Sequence, residues 1–270
     1  MLLSFNPAVD GDLFLWERAP WDPEILAAIR KARAIVLPQT VTREFYWLCR
    51  KNCPHVFPDY DLRFFWEGKM GDTLLFWSYG VAHPETVVFP KVESLVGEHP
   101  NMMEARKLPD FPFVIKGTLG GEGNSVWLVN NRQDLDRVLS ILQKKELEAC
   151  CGFVIQEYIP GLQKDLRVVV IGDDIITYWR RSDGFLHNIA RGGKIDSDSD
   201  PHLQEKGKEA VRRLCARTGI NLAGFDLVFP SPGGEPLFLE INYTFGRSGL
   251  GGSEAFYLLL NKAVDNWLQE

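Results

Sequence analysis

Apolar and polar positions alternate in blocks along the chain, and the block lengths separate strands from helices. The clearest pair is Asp226–Phe229 and Leu237–Asn242, apolar runs on either side of PSPGGEP. Two apolar runs around a Pro/Gly/Ser turn predict a β-hairpin with a loop longer than two residues. Phe113–Lys116 and Val126–Val129 flank a second turn, TLGGEGNS, and Asp165–Gly172 and Ile175–Arg181 flank a third at Asp173-Asp174. Ala34–Pro38, Thr86–Phe89 and Phe153–Ile159 predict further strands. Helical spacing marks Pro23–Ala34, Thr42–Arg50, Lys69–Tyr79 with Gly80 as its stop, Asn131–Lys145, Asp200–Thr218 and Ser253–Leu268, the last with Ser253 as N-cap. A short helix is predicted before Pro109, residues 1–22 show no sustained period, and 185–194 and 243–252 read as loops. Strands and helices alternate without a G-x-G-x-x-G after the early strand, which gives an α/β chain but no Rossmann unit.

Three places carry candidate chemistry. Glu240 and Asn242 are two apart on a strand and share a face. Pairing across the hairpin could set Asp226 beside them, an oxygen-rich cluster suited to Mg²⁺ with a nucleotide; the structural alternative is a hairpin with one solvated face. Lys116 closes a strand at the foot of the loop holding Gly120, Gly121 and Gly123. That arrangement suits a phosphate, through glycine backbone N–H groups and a point charge, or else is a hairpin tip with an exposed lysine. Asp165 and Arg167 share one strand face, as do Tyr178 and Arg180, and Asn188, Arg191 and Lys194 follow. Their arginines suit phosphate or carboxylate, or else are ordinary surface charge.

Composition narrows the setting. The 270 residues allow one large domain or two to three lobes. A net charge of −6 argues against a nucleic-acid partner. The first twenty residues lack the features of a signal peptide, and no apolar run is long enough for a membrane span. Cys49, Cys53, Cys150, Cys151 and Cys215 are odd in number and form no C-x-x-C, so neither a disulfide framework nor structural zinc is expected. These features point to the cytoplasm.

The order of these pieces resembles the ATP-grasp superfamily, in the branch with glutathione synthetase-like and ribosomal-protein glutamate ligase-like enzymes. The resemblance covers about residues 66–252. Lys69 opens a helix leading to Gly80-Val81-Ala82-His83-Pro84-Glu85-Thr86, and Lys116 precedes the glycine loop. Gln156-Glu157-Tyr158-Ile159 looks like the hinge strand that meets adenine, and Asp165-Leu166-Arg167 like the D-[IL]-R strand. Arg180 and Asn188-Ile189-Ala190-Arg191-Gly192-Gly193 match the basic segment. Gly224-Phe225-Asp226 with Leu239-Glu240-Ile241-Asn242 matches the metal hairpin. Two departures stand out: Phe245 replaces the usual Pro after the hairpin, and the N-terminal region is shorter than the usual preceding domain.

The resemblance implies an α/β (α+β) ATP-grasp fold, two subdomains gripping a nucleotide after a short N-terminal α/β region. The implied boundaries are 1–66 and 67–270, the latter with a lid at about 88–155 and a metal-binding part at about 156–270. It implies ATP held by Lys69, Lys116, Gly120, Gly121, Gly123, Gln156, Glu157, Tyr158, Ile159 and Asp165. Mg²⁺ (two ions, with Mn²⁺ as an alternative) would sit on Asp226, Glu240 and Asn242. Arg180, Arg191, Asn188 and Arg167 are the implied catalytic set, with Arg180 and Arg191 on the transferring phosphoryl group. The implied activity joins a small-molecule or peptide carboxylate to an amine through an acyl phosphate. A kinase on the same scaffold, a binder without turnover and homo-oligomerisation stay open.

Overall fold

The computed structural model describes residues 1–15, 22–96, 108–118, 125–149, 152–162, 164–181, 193–231 and 233–269. Three sheets organise them. The first is parallel, in the order β2 (Leu13–Phe14), β1 (Leu2–Ser4), β3 (Ala34–Val36), β4 (Val56–Phe57). Its helices are α1 (Pro23–Lys31) and α2 (Arg43–Asn52), capped at their N-termini by Asp22 and Thr42. A one-turn helix, α3 (Asp61–Phe65), and α4 (Gly68–Tyr79) lead out of this sheet. As read from the sequence, α4 stops at Gly80, in the left-handed conformation at φ 60°.

The second sheet is antiparallel: β5 (Thr86–Phe89), β8 (Phe153–Glu157), β6 (Phe113–Gly117), β7 (Val126–Val129). A short α5 (Glu93–Val96) follows β5, and α6 (Arg132–Leu147) covers the sheet with Leu135, Val138, Leu139 and Leu142, as its spacing predicts. These residues form a core of their own with Phe89, Phe113, Ile115, Phe153 and Ile155.

The third sheet is antiparallel with five strands: β11 (Lys194–Asp196), β10 (Asp174–Arg181), β9 (Lys164–Ile171), β12 (Leu222–Val228), β13 (Leu237–Asn242). Alternation along β9 sends Leu166, Val168 and Val170 to one face and Asp165 and Arg167 to the other. The apolar face receives α7 (Pro201–Thr218). A Cβ added to Gly207 of that helix would lie 2.4 Å from Leu166, so glycine there permits the close helix–sheet approach. The Trp179 indole, on the same face, donates to the Ser199 carbonyl at 2.7 Å. The apolar residues of this sheet, of the N-terminal sheet and of α8 (Ser253–Trp267) make one continuous core.

Several expectations are corrected. Among the described residues of 1–22, two strands of three and two residues occur, too short for a period to register. Phe153–Ile159 is a strand only to Glu157, and Tyr158 and Ile159 follow it. Lys194 begins a strand instead of ending a loop, paired to β10 through Arg181. Ser253 is the first helical residue of α8; Gly252, at φ 96°, is the cap and no side chain closes that end. Asp200 likewise makes no side-chain cap to α7, since its carboxylate pairs with Lys164.

β13 is an edge strand, and its outward donors are covered. The Phe238 N–H donates to the Ala82 carbonyl at 2.9 Å, and the Ile241 N–H to the Asp72 carboxyl at 3.1 Å. Asp72 sits on the buried side of α4 with Thr73, Leu75 and Phe76. Burial, aided by the Glu240 charge and opposed by the Ile241 N–H, pushes its carboxyl up from 3.8 to about 8. Between those values the folded chain holds a proton that the unfolded chain has released. The contribution of Asp72 to stability is therefore complete below about pH 3.8 and is lost as pH rises through about 8. Asp72→Asn stays neutral and keeps an acceptor for Ile241. Thermal melts of both proteins should show the variant gaining on wild type from pH 5 to pH 8; a constant difference would disprove the buried, protonated carboxyl.

Candidate active site

The polar face of the third sheet is buried. Asp165 and Arg180 stand opposite each other on β9 and β10, Arg167 and Asp226 on β9 and β12, and Asp226 and Glu240 on β12 and β13. The hairpin therefore has the register expected from the sequence, with a bulge just after Asp226. Arg180 grips Asp165 through Nε and Nη2 at 2.7 and 2.8 Å. Arg167 grips Asp226 through Nε and Nη2, the latter at 3.1 Å, and Arg180 reaches the same carboxylate at 2.9 Å. Asp165, Arg167, Arg180 and Asp226 are all less than a tenth exposed. The solvated-face alternative is thus overturned for these four residues.

Two carboxylates and two guanidiniums make this group neutral. Burial alone would raise Asp226, but Arg167 and Arg180 outweigh it and hold the carboxylate below its ordinary value. Burial pushes Asp165 up to about 6 against the pull of Arg180. Arg180 is held above its usual value because Asp226 and Asp165 outweigh its own burial. Gly224 makes room for the group: a Cβ there would lie 3.0 Å from Arg167 Nη1 and 3.4 Å from Phe245 Cβ.

Asn242 joins the group to the hairpin rim. Its Nδ2 donates to Asp226 and to Glu240, each at 3.1 Å. Glu240 faces Lys69 at 3.8 Å, and its side chain is 29% exposed. These two, with Asn242, Asp72 and Thr118, line a pocket of about 250 Å³. Lys116 is buried nearby, where burial lowers its pKa while Glu240 pulls the other way and Lys69 adds to the lowering. Gly68 brings α4 against the start of the glycine loop. At φ 69°, with a Cβ position 2.5 Å from the Thr118 carbonyl oxygen, only glycine fits, and the Lys69 N–H donates to that carbonyl at 3.2 Å.

Of the residues singled out in the sequence, Lys69, Glu240 and Asn242 meet in the pocket, with Lys116 close behind. Asp165, Arg167, Arg180 and Asp226 form the buried group beneath Asn242. Gln156 is buried on β8 and donates to the Thr86 hydroxyl at 3.0 Å. Glu157 is exposed, and Tyr158 and Ile159 are half-buried. Gly120, Gly121, Gly123, Asn188 and Arg191 lie outside the described residues. Cys49 and Cys53 are buried, and burial pushes the Cys49 thiol up to about 12, far from a nucleophile's range. Asp72 escaped sequence reading; its one signal was a carboxylate on the apolar side of a helix, three residues after Lys69.

For a metal, the donor set divides. Each carboxylate oxygen has two acceptor sites, and Asp226 already takes four donors from Arg167, Arg180 and Asn242. Glu240 is less engaged, and the Asn242 amide oxygen would serve if the side chain turned over. Among the described residues no three His, Cys, Asp or Glu side chains are grouped as a self-sufficient cage. The arrangement fits a hard cation that shares its shell with phosphate oxygens. No helix of the described residues is long and apolar enough to cross a membrane.

Comparison with known proteins bears on the fold and the family. The fold is similar to a RimK-domain ATP-grasp protein from Sphaerobacter thermophilus, with TM-score 0.63, 15% identity and coverage of 97% of this chain and 98% of that one. It is also similar to the ATP-complexed D-alanine–D-alanine ligase of Bacillus anthracis, with TM-score 0.65, 16% identity and coverage of 97% and 87%. In sequence the chain is 27% identical over 143 residues to a probable alpha-L-glutamate ligase of Rhodopirellula baltica, covering 52% of this chain and 33% of that protein. It is 24% identical over 164 residues to human beta-citrylglutamate synthase B, covering 58% and 40%. The matches thus span less than half the length of these two relatives. The model of the RimK-like ATP-grasp domain matches residues 86–254, more than half of the chain, and the chain belongs to that family.

Proposed function

We propose that this chain is an ATP-dependent carboxylate–amine ligase working through an acyl phosphate. The observation that carries the reading is the meeting of Lys69 with Glu240 and Asn242 in one pocket, with Lys116 at its back. Lysines suit phosphate oxygens, and a carboxylate with an amide suits the cation that accompanies a nucleotide. The relatives named above are a ligase and a synthase, and the family is theirs.

In this reading Lys69 and Lys116 neutralise the phosphates of ATP, and the strand end at Gln156-Glu157-Tyr158-Ile159 receives the adenine. Glu240 and the Asn242 amide oxygen would hold Mg²⁺, which when bound offsets charge developing on the transferring phosphoryl group, while Asp226, its acceptor sites taken, stays beneath them. A substrate carboxylate attacks the γ-phosphorus, giving an acyl phosphate and ADP. The amine then attacks the acyl carbon, loses a proton and releases phosphate as the amide forms. Arg167 and Arg180 act on this site by fixing Asp226 and, through Asn242, the orientation of Glu240. Arg191 is assigned to the transferring phosphoryl group, Asn188 to the catalytic set and the glycine loop to the nucleotide phosphates by the family pattern alone.

Two measurements test this. Calorimetry of MgATP binding should give a micromolar Kd, about −8 kcal/mol, and Glu240→Ala should weaken the Mg²⁺-dependent part at least tenfold while leaving the fold intact. Equal Mg²⁺-dependent binding by the variant would remove Glu240 from the site. Asp226→Ala makes a poor substitute, because it strands Arg167 and leaves Arg180 with Asp165 alone. It should cost about 3–5 kcal/mol of stability, as breaking a buried pair does, and appear first as a fall in Tm.

The reaction itself is read by ADP release across a panel of acids with and without amines. Amide in equal amount to ADP supports the ligase; ADP with a stable phosphorylated product and no amide would make the protein a kinase.

A further inference from the structure

One wall of the pocket comes from the N-terminal region, and it carries an arginine that the ligase chemistry above does not use. Arg63, on α3, lines the pocket together with Phe64 and Trp66, and Lys69 and Glu240 line the same pocket. Its guanidinium lies 4.7 Å from the centre of the Tyr60 ring, 4.9 Å from Phe64 and 5.8 Å from Tyr243. Its Nη1 donates to the Gln39 carbonyl at 2.6 Å, and the guanidinium also meets the Tyr60 hydroxyl. No carboxylate pairs with it among the described residues. Its surroundings differ in this: Glu67, in the same pocket, is paired with Arg43, and Asp61 is taken by Arg50.

The mount is rigid. Tyr60 is fully buried, its N–H donates to the Tyr46 hydroxyl at 2.9 Å, and that hydroxyl donates to Asp61 at 2.6 Å. The Gln39 amide donates to the Tyr243 carbonyl at 3.3 Å, and the Thr244 hydroxyl to the Gln39 carbonyl at 3.5 Å. Arg63 is therefore tied through Gln39 to the two residues that follow Asn242. Three aromatic rings and one carbonyl hold the guanidinium in place, so little rotamer entropy remains to be lost when an anion binds.

The geometry points to Arg63 as the anchor for a substrate carboxylate that does not react. This rests on the ligase reading and deepens it, because it names what one substrate must carry. The reacting centre belongs at Lys69 and Glu240, where phosphate charge is met. A planar, fixed guanidinium in the same pocket is matched to a carboxylate fork, and Phe64 and Trp66 give apolar lining for the substrate's carbons. A volume of about 250 Å³ lies below the roughly 300–1,000 Å³ of drug-sized sites, which suits a metabolite-sized molecule. The carboxylate comes either from a dicarboxylic acid activated at its other end or from an amino-acid acceptor reacting through its amine.

The experiment is calorimetric titration of the full chain, with and without Mg²⁺ and a non-hydrolysable ATP analogue. Glutarate is compared with its monoamide, and alanine and glutamate with their α-amides. Wild type should bind at least one carboxylate tenfold more tightly than its amide, and the arm showing this identifies the source. Arg63→Gln should abolish the discrimination by weakening the carboxylate alone, leaving the amide and the nucleotide analogue unchanged. Arg63→Lys should restore part of it, whereas a merely structural role would weaken all ligands together and lower Tm. Discrimination kept by Arg63→Gln, or no carboxylate preference in wild type, overturns the inference even when the analogue binds. Failure of the analogue to bind removes the ligase reading instead, and the nucleotide-free titrations still decide the role of Arg63.

Discussion

The pairing of Asp226 with Arg167 and Arg180 is the constraint on which the site depends. A lone carboxylate placed this deep carries a desolvation cost of several kcal/mol. Here it is offset by two guanidiniums, and the second of these is itself held by Asp165. All four residues come from three adjacent strands, so each fixes the register of its neighbours. A slip of one residue on β9 would send Arg167 to the apolar face under α7 and leave Asp226 exposed to burial without a cation. The strand register is thereby locked at the point where Glu240 and Asn242 must project, and Asn242 transmits the lock by bonding to both carboxylates.

A second tie comes from outside the sheet. β13 is an edge, and an edge strand with unpaired donors near a reaction centre would be free to fray or to pair elsewhere. Asp72 closes it by accepting the Ile241 N–H. Because Asp72 lies one turn after Lys69 on α4, that single bond also sets the distance between the lysine and the hairpin. The cost of burying the carboxyl is lowered by keeping its proton, so the tie adds no net charge between Lys69, Lys116 and Glu240. Two neutral solutions thus flank the pocket: a balanced ion network beneath Asn242 and a protonated acid beside Ile241. Of the charges left facing the pocket, Lys69 is suited to a phosphate and Glu240 to its counter-ion.

Much of this was legible from the sequence because it is local. The Asp226–Glu240 register follows from alternation across one hairpin, and the long helices follow from their apolar stripes. The pairing of β9 with β12 joins segments more than fifty residues apart, and no local pattern reports it, so the residues alone left the arginines open between phosphate or carboxylate binding and surface charge. The N-terminal strands are two or three residues long, below the length at which alternation can be distinguished from chance. Arg63 was invisible for a related reason: α3 is a single turn, and its meaning comes from Tyr60, Gln39 and Tyr243, which only the folded chain assembles. Asp72 broke the apolar pattern of its helix, and such a break is where buried function should be sought.

The replacement of the family's usual Pro by Phe245 can be understood in the same terms. Phe245 is buried, sets its ring edge-on to Phe256 of α8 at 5.9 Å, and places its Cβ where Gly224 offers no side chain. The segment after the hairpin is therefore pinned by an aromatic contact to α8 on one side and by Gln39 and Tyr60 on the other. A proline fixes a turn through its own φ; here packing on both sides supplies the constraint. The consequence is that Tyr243 and Thr244 belong as much to the N-terminal region as to the hairpin. The N-terminal region shapes the pocket through these two residues as well as through Arg63, Phe64 and Trp66, which line it.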